Sequence, residues 1–254
     1  MNAPLPPLRI AIVGAESTGK TTLARELATA LAAPDPLADP AAASPPRRDG
    51  RVALVGEVLR EWCAKAGRTP RRDEQQAILI EQHRRIDDAA AEHDVVVSDT
   101  TALMTHVYSD LLFDDRSLLA LAVQRHRAMT ATLLTALDLP WVADGHQRDG
   151  EHVRQPVDDR VRELLLQHGL PFAVVAGRGP ARLAQAMAAL RPLLAARPGR
   201  TERLPAPGAR TMGGLFTRLE RAAPASPAPA GPRRRDWICE CCVPQAELAL
   251  MRSA

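Results

Sequence analysis

Residues 14–21 have the sequence Gly14-Ala15-Glu16-Ser17-Thr18-Gly19-Lys20-Thr21, which fits the phosphate-binding pattern G-x-x-x-x-G-K-[ST]. An apolar run at 9–13 precedes this stretch, and leucines at helical spacing follow it, at Leu23, Leu27 and Leu31. The pattern therefore lies between a strand and a helix, where free backbone N–H groups face phosphate oxygens. We call 14–21 the P-loop and expect it, together with Thr22, to bind a nucleotide.

Two side chains carry the chemistry of this loop. Lys20 is expected to reach the β- and γ-phosphates, and the Thr21 hydroxyl to hold Mg²⁺. The chain has only two lysines, Lys20 and Lys65, among 33 basic residues. Because so Arg-rich a sequence would fill a generic basic position with Arg, the compact ammonium favours phosphate binding. The alternative is a glycine-rich turn that binds nothing.

The composition is that of one α/β domain. The 254 residues are 46% hydrophobic and 3% aromatic, so Leu, Val, Ile and Ala must fill the core. The net charge is +3, and 196–254 holds ten Arg against five acidic residues, which leaves the remainder near neutral and gives no electrostatic case for nucleic acid. No run approaches the roughly 20 apolar residues of a membrane helix. The first residues lack a signal-peptide pattern, so we expect a cytoplasmic protein.

Strand and helix patterns alternate along 1–195, which we expect to be the P-loop domain. Strands are predicted at 9–13, 51–55, 94–98, 132–137 and 171–176, and helices at 20–31, 57–66, 73–93, 101–108, 116–128, 157–168 and 183–194. Apolar rather than alternating strands are typical of a parallel sheet covered on both faces. The predicted fold is an α/β P-loop NTPase with about five strands, a Pro/Ala-rich insertion at 32–50, a disordered linker at 196–236 and a Cys-containing tail at 237–254.

Candidate site residues follow the strands, where ligands of parallel sheets bind. Asp99 ends the third strand and is predicted to be a second Mg²⁺ ligand, or else a cap for the helix near Thr101. Glu57 follows the second strand. It could accept the proton of an attacking hydroxyl, bind a ribose, or serve as a first-turn Glu favoured by the helix dipole. Arg60, one turn on, could pair with Glu57 or face a substrate phosphate.

Two further groups have open interpretations. Arg148 and Arg154 lie in a Gly-containing loop and could form a lid against γ-phosphate charge, or be solvated surface charges. In the tail, three thiols lie within four residues, at Cys239, Cys241 and Cys242, and could bind Zn²⁺ or Cu(I). They lack the paired C-x-x-C spacing of structural zinc sites, so the alternative is an exposed tail open to oxidation.

Four segments together resemble the kinase domain of the NadR type. They are GAESTGKTTLAREL at 14–27, EVLREW at 57–62, VSDTT at 97–101 and DLPWVADGHQRDG at 138–150. The last, D-x-P-[WF]-V-x-D-G-x-x-R-D, is the most discriminating, and the similarity spans about 8–195. The nucleotidyl motif [HT]-x-G-H of bifunctional NadR-type proteins is absent, because position 143 before Gly145-His146 is Ala. We therefore expect a stand-alone kinase domain.

The resemblance implies an activity and roles for residues. The family phosphorylates nicotinamide riboside with ATP to give nicotinamide mononucleotide. By resemblance, Asp99 is associated with magnesium, Glu57 and Arg60 lie beside the nucleoside, and Gly177 lies beside the adenine. The lid is implied to contain Asp144, Arg148 and Arg154.

We therefore expect a kinase that uses ATP and Mg²⁺, with Lys20, Glu57, Asp99 and Arg148 as catalytic residues. The partner is a small-molecule nucleoside, with neither nucleic acid nor membrane expected and homo-oligomerisation left open. The alternatives are another nucleoside or nucleotide kinase, or a regulatory ATPase module that acts through its C-terminal tail. An AAA+ motor is disfavoured because the helix after the fifth strand runs directly into the Pro-rich tail.

Overall fold

The central strand, β1, carries the P-loop at its carboxyl end. The computed structural model describes residues 6–33, 52–141 and 151–196. Within them, one parallel sheet has the order β2-β3-β1-β4-β5. Its strands are β1 (Leu8–Val13), β2 (Val52–Val55), β3 (Val95–Asp99), β4 (Ala131–Thr135) and β5 (Ala173–Val175). The predicted fold class is confirmed.

Within the described ranges, six α-helices lie between these strands and a seventh follows β5. They are α1 (Lys20–Ala32), α2 (Val58–Ala66), α3 (Gln75–Glu92), α4 (Ala102–Phe113), α5 (Leu119–His126), α6 (Arg154–Gln167) and α7 (Gly179–Ala195). Short 3-10 turns precede α3 and α6, at Arg72–Glu74 and Glu151–Val153. None of the described helices is long and apolar enough to span a membrane.

Helices cover both faces of the sheet, as the apolar strands predicted. On one face, Ile10 and Ile12 of β1 pack in a cluster with leucines of α1 and α7. On the other, Ala11 and Val13 pack with residues of α4 and α6. The alternation follows from the two-residue period of a strand. With both faces buried, the sites open to ligands are the strand ends, which is where the P-loop lies.

Several element boundaries differ from the sequence prediction: α4 runs to residue 113 rather than 108, α6 begins at 154 rather than 157, and α7 begins at 179 rather than 183. The fourth strand ends at Thr135 rather than 137, because the backbone turns at 137–139. Ala136 N still bonds to Val175 O at 2.9 Å, in line with the parallel pairing of β4 and β5. The helix predicted from Asp73 begins at Gln75, and Asp73 does not cap it. Instead the Glu74 carboxylate accepts from Arg71 N at 2.7 Å and from Arg68, so this neighbouring residue anchors the turn. Asp144, Arg148, the greater part of the 32–50 insertion and the tail from 197 lie outside the described residues.

Gly14 is required by the junction between β1 and the P-loop. Its φ is +143°, and an added Cβ would lie 2.3 Å from Thr135 Oγ1. We expect Gly14→Ala to lower the free energy of unfolding by more than about 3 kcal/mol, through backbone strain and overpacking together. Urea unfolding followed by circular dichroism measures this.

Gly67→Ala is the matched control, because Gly67 has φ +68° but open space around its Cβ position. It should cost only the left-handed strain, about 1–2 kcal/mol. Equal losses in the two variants would show that close packing against Thr135 does not constrain the loop.

Candidate active site

The P-loop is held in shape from behind by the end of β4. Thr18 Oγ1 donates to Ala15 O at 2.7 Å and lies 2.7 Å from Thr135 Oγ1. Thr135 Oγ1 in turn contacts Val13 O at 3.2 Å. Gly19, at φ +76°, ends the loop as the N-cap of α1. A threonine on a neighbouring strand thus supports the loop, and the sequence pattern does not indicate that contact.

Lys20 and Thr21 lie at the first turn of α1, as the motif predicts. Lys20 is buried, and its Nζ donates to Ala15 O at 2.7 Å, which keeps the ammonium against the loop backbone. Thr21 Oγ1 donates to Asp99 Oδ2 at 2.5 Å. The structure therefore brings together the two residues that the sequence analysis assigned to magnesium.

Asp99 does not cap α4, so the alternative role considered for it is wrong. Thr101 is the N-cap residue, and its Oγ1 accepts from Leu103 N at 3.3 Å. Asp99 is 3% exposed, and its Oδ1 has no hydrogen-bond partner in the described part of the chain. A buried carboxylate oxygen without a partner is costly unless a ligand satisfies it. Oxygen donors such as these suit Mg²⁺.

Thr21 and Asp99 are not part of a larger cluster of metal ligands in the described ranges. Among the residues described, no group of three or more His, Cys, Asp or Glu side chains could hold a metal ion. This is compatible with Mg²⁺, which proteins commonly bind through one or two carboxylates together with substrate phosphates and water. Cys239, Cys241 and Cys242 lie beyond the described residues.

Glu57 lies at the N-cap position of α2, and Gln82 of α3 fixes the turn that carries it. Gln82 Oε1 accepts from Val58 N at 2.8 Å, while Gln82 Nε2 donates to Gly56 O at 3.1 Å. No role was predicted for Gln82 from the sequence. Its signal was a polar residue among the apolar positions Ile78, Leu79 and Ile86.

The electrostatic environment of Glu57 ties it to the P-loop and to Asp99. Its side chain is only 9% exposed, and burial raises its pKa above the ordinary value. Lys20 lowers the pKa and Asp99 raises it, so both charges lie near this carboxylate. Arg60 also lowers it, with Nε 3.4 Å from Glu57 Oε2, while remaining 46% exposed. Glu57 occupies the N-cap position without a side-chain cap bond among the described residues, so its carboxylate is not used to cap α2.

Arg154 begins α6 and is not a solvated surface charge. It is 3% exposed, and its Nε and Nη2 have no hydrogen-bond partner among the described residues. A buried guanidinium with free donors is suited to bind an anion. The other two predicted lid residues, Asp144 and Arg148, lie in 142–150, outside the description.

Gly177 follows β5 and is held by Asp138, which is held in turn by Arg182, a residue for which no role was predicted from the sequence. The Gly177 N–H donates to Asp138 Oδ2, and Asp138 Oδ1 accepts from Arg182 Nη2 at 2.9 Å. Arg182 is buried in α7, and its Nη1 also donates to the Thr18 carbonyl of the P-loop. The signal was available in the sequence, because Arg182 heads a stripe of buried positions at four-residue spacing, followed by Ala186, Leu190 and Leu194.

A family model described as an AAA domain matches residues 9–182, which is more than half of the chain. The chain belongs to this family of P-loop proteins. The described residues after β5 form α7, which packs on β1 and α1 rather than in a separate helical domain. Among curated protein sequences, none matches this chain significantly.

Solved structures of known proteins share the fold. A NadR protein in complex with NR is similar with a TM-score of 0.55 and 20% identity, over 74% of this chain and 50% of that one. A NadR protein in complex with NAD and AMP-PNP has a TM-score of 0.53 and 19% identity, over 74% of this chain and 49% of that one. Thymidylate kinase from Ehrlichia chaffeensis has a TM-score of 0.51 and 15% identity, over 74% of this chain and 100% of that one.

The similarity to NadR therefore extends over about half the length of those proteins. At these identities the likeness shows a shared P-loop kinase-like fold. The resemblance to the NadR type, noted from four short segments, is confirmed at that level.

The raised pKa of Glu57 predicts a pH dependence of stability. Because burial raises this pKa from 4.5, the folded state holds a proton that the unfolded state releases as the pH rises through the window above 4.5. The contribution of Glu57 to the stability of the wild type therefore falls in that window, whereas Glu57→Gln, which does not ionise, does not lose it. Urea unfolding at pH 4.5 and pH 7.5 should show Glu57→Gln gaining on wild type at the higher pH.

Glu92→Gln makes the same charge change at an exposed position near the end of α3. The difference in free energy of unfolding between Glu92→Gln and wild type should be the same at pH 4.5 and pH 7.5. A parallel pH response in both variants would contradict a special environment at Glu57.

Proposed function

We propose that this protein is an ATP-dependent kinase that transfers the γ-phosphoryl group to a hydroxyl of a small nucleoside, with nicotinamide riboside as the acceptor. The observation that carries the proposal is a convergence at three adjacent strand ends. Lys20 follows β1, Asp99 ends β3 and bonds to Thr21, and Glu57 follows β2 within electrostatic reach of both. Phosphoryl transfer needs such an arrangement of cation, metal ligand and hydroxyl-orienting group.

Catalysis would consist of positioning and charge neutralisation. The backbone amides of the P-loop and of Thr22, together with the Lys20 ammonium, would bind the phosphates. The buried guanidinium of Arg154 would face the γ-phosphate, together with Arg148 and Asp144 from the lid. Thr21 and Asp99 would hold Mg²⁺, which neutralises charge on the phosphate oxygens when bound. Asp99 Oδ1, which has no partner among the described residues, supports that role.

Glu57 would accept the proton of the attacking hydroxyl. A carboxylate with a raised pKa is a better proton acceptor than an ordinary one, and catalytic bases are commonly tuned in this direction by burial. Arg60, paired with Glu57 and half exposed, would contact the acceptor from the open side of the pair. Gly177, linked to the P-loop through Asp138 and Arg182, would lie beside the adenine.

The identity of the acceptor rests on two supports. The first is the D-x-P-[WF]-V-x-D-G-x-x-R-D stretch at 138–149. The second is the fold shared with a NadR protein crystallised with NR. Another nucleoside or nucleotide kinase is the alternative on the same scaffold. The family description, AAA domain, is compatible with a second alternative, an ATPase module. That such a module would act through 196–254 stays a prediction from the sequence. A cytoplasmic location and homo-oligomerisation stay predictions from the sequence.

The first test is ADP release from purified protein with ATP and Mg²⁺, with and without nicotinamide riboside. We expect riboside-dependent turnover that Lys20→Ala lowers by at least about 10²-fold, because a buried cation that faces developing charge is removed. Lys65→Ala is the matched control, since it removes the other lysine of the chain from an exposed position on α2.

Turnover that no nucleoside or nucleotide of a panel stimulates would refute the kinase proposal. Stimulation by a different nucleoside would support the kinase activity but show that nicotinamide riboside is not the acceptor. If the basal ATPase is instead lost on deletion of 197–254, the regulatory ATPase alternative is favoured, since a kinase should keep its turnover.

A second test concerns Asp99. We expect Asp99→Asn to lower turnover by about 10²-fold and to abolish the tightening of ADP binding by Mg²⁺, because an amide is a poorer ligand for a hard cation. Isothermal titration with Mg²⁺ and with EDTA measures the second effect. Asp94→Asn, at the opposite end of the same strand, should behave as wild type. Unchanged Mg²⁺ dependence in Asp99→Asn would remove Asp99 from the metal site.

A further inference from the structure

The guanidinium of Arg182 joins three segments that meet at the P-loop. It is 4% exposed. Its Nη1 donates to Thr18 O, and its Nη2 donates to Asp138 Oδ1 at 2.9 Å, to Ala136 O at 3.3 Å and to Val175 O at 3.4 Å. The three segments are the P-loop, the exit of β4 and the exit of β5. A buried Arg normally needs such partners, so this environment is built around its charge.

The contact with Thr18 bears on the loop that would bind phosphate. The peptide unit between Thr18 and Gly19 is planar and trans, so its C=O and N–H point in opposite directions. Because Arg182 holds the Thr18 carbonyl, the Gly19 N–H points away from Arg182. An added Cβ at Gly19 would lie 3.1 Å from Arg182 Nη1, which places Arg182 directly behind the loop.

We infer that Arg182 is a positioning residue that fixes the Thr18–Gly19 peptide so that its N–H faces the β-phosphate of a bound nucleotide. The inference rests on the proposed function to the extent that a nucleotide binds at the P-loop. Arg182 itself faces backbone carbonyls and Asp138 rather than the cradle, so it acts through the loop and is not a catalytic residue.

Asp138 extends this support to the base side of the site. Its Oδ1 pairs with Arg182, while its Oδ2 accepts from the Gly177 N–H. The same ion pair therefore holds the P-loop and the turn after β5 in one relative arrangement. A planar guanidinium can serve Thr18 and Asp138 from two separate nitrogens, whereas a lysine ammonium is a single point and cannot span both.

The alternative is that Arg182 only anchors α7 to the sheet. The two roles differ in what a bound nucleotide should sense. A loop-positioning role affects ligands in proportion to their P-loop contacts, so ADP should suffer more than AMP. An anchoring role alone lowers stability and affects both ligands by a similar factor.

The experiment is isothermal titration of the full chain with ADP and with AMP in wild type, Arg182→Lys, Asp138→Asn and Arg178→Lys. We expect Arg182→Lys to weaken ADP binding by at least about tenfold, or about 1.4 kcal/mol, with AMP binding changed by less than about twofold. Asp138→Asn, at a partly exposed residue, should weaken ADP binding by a smaller factor and AMP binding by less than that, because AMP loses only the support at Gly177. Arg178→Lys, at the exposed residue that precedes α7, should match wild type.

Circular dichroism and thermal unfolding check that each variant is folded. If Arg182→Lys does not fold, the question is decided by whether Asp138→Asn weakens ADP binding by a larger factor than AMP binding. Equal weakening of ADP and AMP, or none, would overturn the inference and leave Arg182 as an anchor of α7.

The wild-type protein separates this inference from the proposed function. Wild type that binds ADP but shows no acceptor-dependent turnover refutes the kinase, while the ADP-to-AMP comparison still decides the role of Arg182. Wild type that binds neither nucleotide overturns both.

Discussion

The parallel pairing of β1 with β3 is the constraint on which the site depends. The register places Ile12 opposite Asp99, so β3 ends where the P-loop begins. The first turn of α1 then brings the Thr21 hydroxyl to the Asp99 carboxylate, although the two residues are 78 positions apart. A shift of this register by one residue would turn Asp99 toward the opposite face of the sheet and separate the pair.

Around that pair, several buried polar side chains hold loops in shape and do not themselves face the candidate ligand site. Thr135 supports the P-loop from β4, Gln82 fixes the turn before α2, and Arg182 ties the P-loop to the exits of β4 and β5. Buried hydrogen bonds of this kind hold backbone groups in one geometry, because breaking them leaves unsatisfied groups in a low-dielectric interior. The result is a preorganised set of N–H groups and charges at the strand ends.

The charges at the site are also unequal in environment. Glu57 is nearly buried and has a raised pKa, whereas its partner Arg60 reaches solvent. Within the described part of the chain, Arg154 is buried with two nitrogens that have no partner, and one oxygen of Asp99 has none. Side chains that are costly to bury without partners are typical of sites that a ligand completes. This pattern, rather than the fold alone, distinguishes a candidate active site from a structural ion-pair network.

The sequence by itself determined the P-loop, the alternation of strands and helices, and the α/β fold, because these depend on short-range periodicity and on glycines at fixed spacing. It also nominated Lys20, Thr21, Asp99 and Glu57, since a parallel sheet gathers whatever follows its strands. It left open whether Asp99 was a cap or a ligand, and it gave no role to Arg182 or Gln82. Only the tertiary structure showed that Asp99 does not cap α4 and where Arg182 and Gln82 bind, because these contacts span up to 164 residues and depend on which polar groups the packed helices bury together.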